Sequence, residues 1–307
     1  MSDIISIVIP IVLILCLGFY CKEKKILNRQ AIDGIKNVSV RFLWPMVLFY
    51  AFFTASYSVE TIFYAGVNFA TNLFAFAVGL VLRKTKCRHS FSYPYLLSGF
   101  ETGMIGYPLY TLLFGAENIS CLALLDVGHA LFIFPIFLNH LNMEQGKTSL
   151  KNSVKDMFTS PIMIALVVGM ISGMTGVGSF VMNSAAGAVV TKLYGLISDA
   201  NVVMILIVMG YNLSFSFGEL KESAKVILIR SGIMVFCGLA SFWILRSFVT
   251  VNVYLVSALI VTYIMPPVYM LSVYVKDKEE NEFISTTSSA FTMLSILLFL
   301  VLTIIVK

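Results

Sequence analysis

Apolar and polar residues follow one another along the chain in long blocks, with apolar runs separated by short polar connections. A helical run of about 20 apolar residues matches the hydrocarbon thickness of a bilayer. The pattern therefore predicts about ten membrane-spanning helices. The predicted spans are residues 3–21, 37–56, 62–82, 91–114, 119–138, 161–177, 200–217, 224–248, 253–275 and 284–306. The longest polar interruption, residues 139–159, follows the fifth span and divides the spans into two sets of five.

The fourth span contains residues that are costly in lipid. Its centre, residues 99–115, reads GFETGMIGYPLYTLLFG. Pro108 has no backbone N–H, Gly103 and Gly106 weaken a helix, and Glu101 adds an ionisable group. Backbone groups freed by such a sequence must face protein or water, so we expect a broken helix with its break at 106–108.

A second break is predicted in the ninth span, where Pro266 and Pro267 follow Met265. Paired breaks in equivalent spans of two halves point to a binding site between repeats. Because each half has an odd number of spans, the halves must cross the membrane in opposite directions. We therefore expect an all-α polytopic membrane protein built from two inverted five-helix repeats, residues 1–145 and 146–307.

Basic residues indicate how the chain is oriented. They concentrate in the connections after odd-numbered spans, and the positive-inside rule places those connections in the cytoplasm. These residues are Lys22, Lys24, Lys25, Arg29, Arg83, Lys84, Lys86, Arg88, Lys147, Lys151, Lys155, Lys221, Lys225, Lys276 and Lys278. The opposite side has little beyond Arg246 and Lys307. The prediction is a multi-pass cell-membrane protein with both termini non-cytoplasmic.

Composition narrows the class of protein. The chain is 59% hydrophobic and 12% charged, with a mean hydropathy of +0.92, which is more apolar surface than one soluble core can bury. The net charge of +5 is spread between apolar runs, so we expect lipid and not nucleic acid as the partner. The sequence has no Walker loop, GxSxG, HExxH or cysteine–histidine zinc spacing, so neither an enzyme, an ATP-driven pump nor a metal protein is expected.

The fifth span carries Asp126 and His129, whose i,i+3 spacing puts both on one helix face. One hypothesis is a proton relay or ion site coupled to Glu101, since imidazole titrates near neutral pH. The alternative is a structural pair within the helix bundle. Both remain open from the sequence.

Three further polar positions within spans have two interpretations each. Asn72 in the third span either lines a site or forms interhelical hydrogen bonds, and the second role is expected. Arg41 and Arg230 lie within a few turns of the cytoplasmic side, so we expect their side chains to extend to that surface. Holding a substrate carboxylate is the alternative role for either arginine.

The sequence around the two breaks resembles a known family. Residues 101–109, ETGMIGYPL, with Gly115 after them, are similar to the fourth-helix motif of the auxin efflux carrier family, and Met265-Pro266-Pro267 resembles its ninth-helix partner. The resemblance implies a ten-helix carrier in which spans one, two, six and seven form a scaffold. The other six form a mobile domain whose fourth and ninth helices cross. It further implies an organic anion as substrate and these site residues: Glu101, Thr102, Gly103, Gly106, Pro108, Pro266 and Pro267.

Glu101 departs from the family pattern, which usually has asparagine at this position. A carboxylate repels an anionic substrate unless it is protonated or paired. Removal of a carboxyl from water favours its protonated form, so Glu101 is a candidate for exchanging a proton or for neutralising a bound cation. The alternative is a structural acid bonded to backbone freed by the break.

The function expected from these residues is secondary transport of a small organic solute, in the first place a carboxylate, by alternating access. No cofactor is expected beyond a coupling proton or Na⁺. A polytopic membrane enzyme using Glu101, Asp126 and His129 is the first alternative, and a nontransporting receptor or channel is the second. The solute, the direction of transport and a homodimer formed through the scaffold helices are left open.

Overall fold

The computed structural model describes residues 2–55, 57–85, 89–115, 118–145, 159, 161–269, 271–275 and 277–306. Every regular element among them is helical, which confirms the predicted all-α class. The α-helices are α1 Ser2–Glu23, α2 Arg29–Val38, α3 Trp44–Phe53, α4 Glu60–Arg83, α5 Tyr93–Leu97, α6 Tyr107–Phe114, α7 Ile119–Phe132, α8 Asn139–Glu144, α9 Pro161–Met174, α10 Val177–Met182, α11 Ala185–Asn212, α12 Leu220–Phe248, α13 Val253–Ile264, α14 Leu271–Tyr274 and α15 Lys278–Val306. Short π-helical turns cover Ser39–Leu43, Thr102–Gly106 and Ile133–Leu138, and a 3₁₀ turn covers Ser90–Ser92.

Five helical stretches in the described part of the chain are long and apolar enough to cross a membrane: Glu60–Arg83, Ile119–Glu144, Ala185–Asn212, Leu220–Phe248 and Lys278–Val306. Pro161–Met174 and Val253–Ile264 are shorter apolar helices. Many large apolar side chains on the long helices lie on the protein surface, which is costly in water and favourable in lipid. The structure is thus that of an all-α protein with helices suited to a bilayer, while the ten-helix inverted repeat stays a prediction.

The orientation of the chain depends partly on residues outside the described ranges. These are Lys86, Arg88, Lys147, Lys151, Lys155 and Lys276. The predicted cytoplasmic position of their connections and the non-cytoplasmic termini therefore stay predictions.

The described helices form two compact units, each with its own packing. The first unit consists of Met1–Thr61, Tyr107–Leu124 and Leu138–Asn212, and the second of Ile62–Gly106, Leu125–Phe137 and Leu213–Lys307. The first unit contains the predicted spans one, two, six and seven. The second contains the predicted spans three, eight, nine and ten, with the first part of span four and the middle of span five.

Small residues allow close helix packing in the first unit. A Cβ on Gly18 of α1 would collide with the Ile207 carbonyl, and one on Gly210 of α11 would collide with the Leu15 carbonyl. These glycines let the two backbones approach each other as a larger residue would not. In the same unit, α9 packs on α3, and a Cβ on Gly169 would lie 2.8 Å from the Phe49 carbonyl oxygen.

Two helix breaks lie in the second unit. The first break, residues 98–101, separates α5 from the π-helical turn Thr102–Gly106. The second break, residues 265–268, follows the end of α13 at Ile264 and confirms the predicted interruption at the prolines. The first break was expected at 106–108, and that position is wrong. α5 ends just before Ser98, whose backbone is extended, and Gly99 follows with a φ of +69°, whereas the π-helical turn Thr102–Gly106 continues directly into α6 and through Pro108.

Candidate functional site

The two breaks contact each other through the backbone and one carboxylate. The Glu101 N–H donates to the Pro266 carbonyl oxygen at 2.9 Å. In the opposite direction, the Tyr269 N–H donates to Oε2 of Glu101 at 2.6 Å. The Glu101 side chain is buried, with 6% of the residue exposed. Glu101 thus joins the first break to the second with both its backbone and its side chain.

Arg230 of α12 binds carbonyl groups of both breaks. Its Nη1 donates to the carbonyl oxygens of Leu96 at 2.9 Å and Ser98 at 3.3 Å. Its Nη2 donates to those of Gly99 at 2.7 Å and Met265 at 3.1 Å. These oxygens lie at the C-terminal ends of α5 and α13, where carbonyls have no helical partner and a cation is favourable. The guanidinium therefore terminates two interrupted helices at once.

The position of Arg230 corrects the expectation that its side chain extends to the cytoplasmic surface. The residue is fully buried, with 0% exposed. Its guanidinium carbon also lies over the rings of Phe100 and Phe291, at 5.7 and 5.2 Å from their centroids. The breaks supply carbonyl oxygens inside the protein, so the guanidinium has partners there that a continuous helix would not offer.

The N–H groups of the first break are bound by side chains of two other helices. Oδ1 of Asn72 accepts from the Gly99 N–H at 3.0 Å, and Nε2 of His129 accepts from the Phe100 N–H at 3.0 Å. Asn72 is oriented by Asn68, whose Oδ1 accepts from the Asn72 amide at 2.7 Å. The expected hydrogen-bonding role of Asn72 is confirmed, because its partner is the broken backbone itself.

Asp126 and His129 form a pair, as their spacing predicted. Nδ1 of His129 lies 2.9 Å from Oδ1 of Asp126, and both side chains are nearly buried. Because Nε2 accepts a backbone N–H, a neutral imidazole must carry its proton on Nδ1 and donate it to Asp126. A proton added at Nε2 would remove the acceptor of the Phe100 N–H. The state of this pair is thereby linked to the first break.

Most of the residues predicted to form the site are brought together. Glu101, Thr102, Asn72, His129 and Pro266 lie at the two breaks or bind their backbone, and Asp126 contacts the first break through His129. Gly103 and Gly106 belong to the π-helical turn that follows the first break, and Pro267 is buried in the second. Pro108 lies in α6, which belongs to the first unit.

Three contributors were missed from the sequence. Arg230 was assigned to the surface, although a single arginine within an apolar run is itself a signal of an internal partner. Tyr263 of α13 contacts the hydroxyls of Thr71 and Ser241 at 2.9 and 2.6 Å, and Ser295 donates to the Ile264 carbonyl oxygen at 2.5 Å. The partners of these hydroxyls come from distant parts of the sequence, so no local pattern identifies them.

Two comparisons of this chain with known proteins found no match. No protein-family model matches it, and no characterised protein matches it significantly. A function must therefore be argued from the residues at the two breaks.

Proposed function

We propose that this protein is a secondary carrier of a small organic solute, in the first place a carboxylate, that works by alternating access with a proton as the coupling ion. The observation that carries the proposal is the contact between two broken helices at Glu101. Broken helices at membrane depth present free backbone donors and acceptors to a solute, which a continuous helix hides. The buried acid at that contact supplies a group that can exchange a proton.

A solute anion and the Glu101 carboxylate can accept a hydrogen bond from the same donor. The Tyr269 N–H donates to the Glu101 carboxylate, and a solute carboxylate is an equivalent acceptor. When Glu101 takes a proton, its charge is lost and it becomes a weaker acceptor. The solute then meets a donor without an opposing negative charge, and the fixed guanidinium of Arg230 adds a favourable field. Proton and anion therefore bind together.

The division of the chain supports a scaffold and a mobile domain. Predicted spans one, two, six and seven fall in the first unit, and both breaks fall in the second. This agrees in part with the grouping that the resemblance to auxin efflux carriers implies, since α6 and the start of α7, from spans four and five, also belong to the first unit. A site carried by one compact unit can move as a body during transport.

The alternative of a membrane enzyme is less well supported by the geometry. Thr102 Oγ1 lies 3.5 Å from Nδ1 of His129, the same nitrogen that contacts Asp126. In a hydrolytic triad the nucleophile and the acid bind opposite nitrogens, and the nitrogen facing the nucleophile must be able to take its proton. Here Nε2 accepts from the Phe100 N–H instead. The His129 side chain is therefore arranged to bind the backbone of the first break.

Transport is tested with purified protein in liposomes. A thermal-shift screen of organic acids first identifies a solute that binds, and its uptake is then driven by an inward proton gradient. We expect saturable accumulation by the wild type. Glu101→Gln should keep exchange of solute across the membrane but lose accumulation, since it is permanently neutral at nearly the same shape.

Glu282→Gln is the matched control, because Glu282 is exposed on α15 and should accumulate solute as the wild type does. Proton-driven accumulation by Glu101→Gln at the wild-type level would contradict the proton role of Glu101. Flux that does not saturate would indicate a channel, and product formed without net transfer would indicate an enzyme.

A further inference from the structure

A second group of titratable side chains in the second unit is centred on His89. This residue comes directly before the 3₁₀ turn Ser90–Ser92, and it is buried, with 3% exposed. Its ring stacks on Phe283 of α15 with centroids 4.1 Å apart and planes 10° from parallel. The imidazole is therefore held in one orientation by packing. None of these residues takes part in the contact between the two breaks.

One ring nitrogen of His89 contacts the Glu280 carboxylate, and a second hydrogen bond holds that carboxylate in place. Nδ1 lies 2.7 Å from Oε2 of Glu280, and the other oxygen of Glu280 accepts from the Ser92 hydroxyl. Histidines that bind metals usually donate their second N–H to such a carboxylate, which fixes the ring and makes the ligating nitrogen more basic. This arrangement leaves Nε2 as the nitrogen available to a ligand.

The other nitrogen faces two more carboxylates. Nε2 lies 3.0 Å from Oε2 of Glu219, which precedes α12 and is 6% exposed. A nitrogen of His89 and one carboxylate oxygen each from Glu219 and Glu279 all lie within 4.8 Å of one another. Glu279 is exposed in the first turn of α15, so the group is open to water on that side.

We propose that His89 Nε2, Glu219 and Glu279 bind a divalent transition-metal ion such as Zn²⁺ or Mn²⁺. One imidazole and two carboxylates form a ligand set that these ions accept, with water in the remaining positions. The ion would lie between Nε2 and Glu219 Oε2, which are 3.0 Å apart. Its two positive charges offset carboxylates that are crowded around a single imidazole.

The proposed ion would join three separate segments of the chain. His89 precedes the 3₁₀ turn that leads into α5, Glu219 precedes α12, and Glu279 lies in the first turn of α15. Because α5 ends at the first break and α12 carries Arg230, the ion would fix the starts of two helices that meet at that break. The site is thus structural, and its ligands are distinct from the groups that we propose for transport.

Metal binding is tested on tag-free, chelator-treated protein in lipid nanodiscs by isothermal titration with ZnCl₂, MnCl₂ and MgCl₂. We expect one Zn²⁺ or Mn²⁺ per chain and much weaker binding of Mg²⁺, which prefers an all-oxygen octahedron. Glu279→Gln should weaken Zn²⁺ binding at least about tenfold, and Glu280→Gln, which acts through His89, by about 10–100-fold. Because Glu279 is exposed, its variant should fold.

Glu282→Gln is the matched control on the same helix and should bind Zn²⁺ as the wild type does. X-ray absorption of the Zn²⁺ form should show one imidazole nitrogen at about 2.0–2.1 Å among oxygen ligands, and the imidazole signature should be lost in His89→Gln. Unchanged Zn²⁺ affinity in Glu279→Gln, Mg²⁺ binding as tight as Zn²⁺, or absorption spectra without imidazole would each overturn the proposal.

Discussion

The first break presents three consecutive N–H groups at residues 99–101, and side chains or backbone from elsewhere must accept all of them. The second break includes Pro266 and Pro267, which have no N–H to satisfy. An unpaired buried N–H is harder to accommodate than an under-satisfied carbonyl, which has two lone pairs. The first break therefore needs three acceptors from elsewhere, whereas the second contains two prolines that need none, and its Tyr269 N–H is accepted by Glu101.

Arg230 is common to both breaks, because its guanidinium binds carbonyls of the first at Ser98 and Gly99 and of the second at Met265. The difference between the breaks thus lies in their donors. Asn72 and His129 bind N–H groups of the first break only, so a change in either acts on the first break directly.

The largest effect is expected for Arg230→Met, which removes the donors to four buried carbonyls in both breaks. Each buried polar group left without a partner costs about 1–3 kcal/mol, so we expect the free energy of unfolding to fall by about 3 kcal/mol or more. The measurement is an SDS titration of unfolding in mixed micelles. Arg246→Met is the control, since Arg246 is exposed on the same helix and should lose less than about 1 kcal/mol. Equal losses in the two variants would contradict a shared role for Arg230.

Gly99→Ala should strain the first break, and its added Cβ also meets Val268 of the second break. The φ of +69° costs a residue with a Cβ about 1–2 kcal/mol, and that Cβ would lie 2.6 Å from Cγ2 of Val268. We expect a total loss of about 2–3 kcal/mol once this crowding is included. Gly106→Ala is the control, because Gly106 is helical and its Cβ would lie 3.1 Å from a Thr102 methyl group, which needs only a small shift. A loss in Gly106→Ala as large as that in Gly99→Ala would show that backbone conformation does not distinguish the sites.

The local features of the fold were predictable because they depend on short-range patterns. Apolar length predicted Glu60–Arg83 to within two residues at its start and one at its end. It predicted the end of Lys278–Val306 and placed its start six residues late. The i,i+3 spacing predicted the Asp126–His129 pair, because one helix positions both residues. The double proline predicted the second break for the same reason. In each case the physical cause lies within a few residues of the feature.

The features that were missed depend on distant contacts. The first break was expected at Pro108, but the helix continues through that residue from the π-helical turn before it, and the extended Ser98 and the positive φ of Gly99 set the position of the break. Arg230 was assigned to the surface because nothing near it in sequence is a partner. Its acceptors are 35 to 134 residues away. Burial among distant carbonyls cannot be inferred from one helix.

Asn72→Leu tests whether the first break depends on an outside acceptor for its N–H groups. The substitution keeps the size of the side chain but leaves the Gly99 N–H without its acceptor, so we expect a loss of about 1–3 kcal/mol in the free energy of unfolding. Asn212→Leu is the control, because the bond from Arg29 to Asn212 is exposed and should contribute less than about 1 kcal/mol. Hydrogen exchange should rise at the Gly99 amide in Asn72→Leu and stay unchanged at residues 271–275. Faster exchange at both places would mean that the breaks are not independent.

Ser295→Ala is the corresponding change at the second break and should have the smallest effect. The Ser295 hydroxyl donates to the Ile264 carbonyl oxygen at the end of α13 and also to the Phe291 carbonyl oxygen. Removing it leaves one carbonyl with fewer partners and no orphaned N–H, so we expect a loss of about 0.5–1.5 kcal/mol, the contribution of an ordinary hydrogen bond. Ser285→Ala on the same helix is the control, since its partner is Asn281 and not a break. If Ser295→Ala destabilised the protein more than Asn72→Leu, the second break would depend on outside side chains as strongly as the first, and the proposed asymmetry would be wrong.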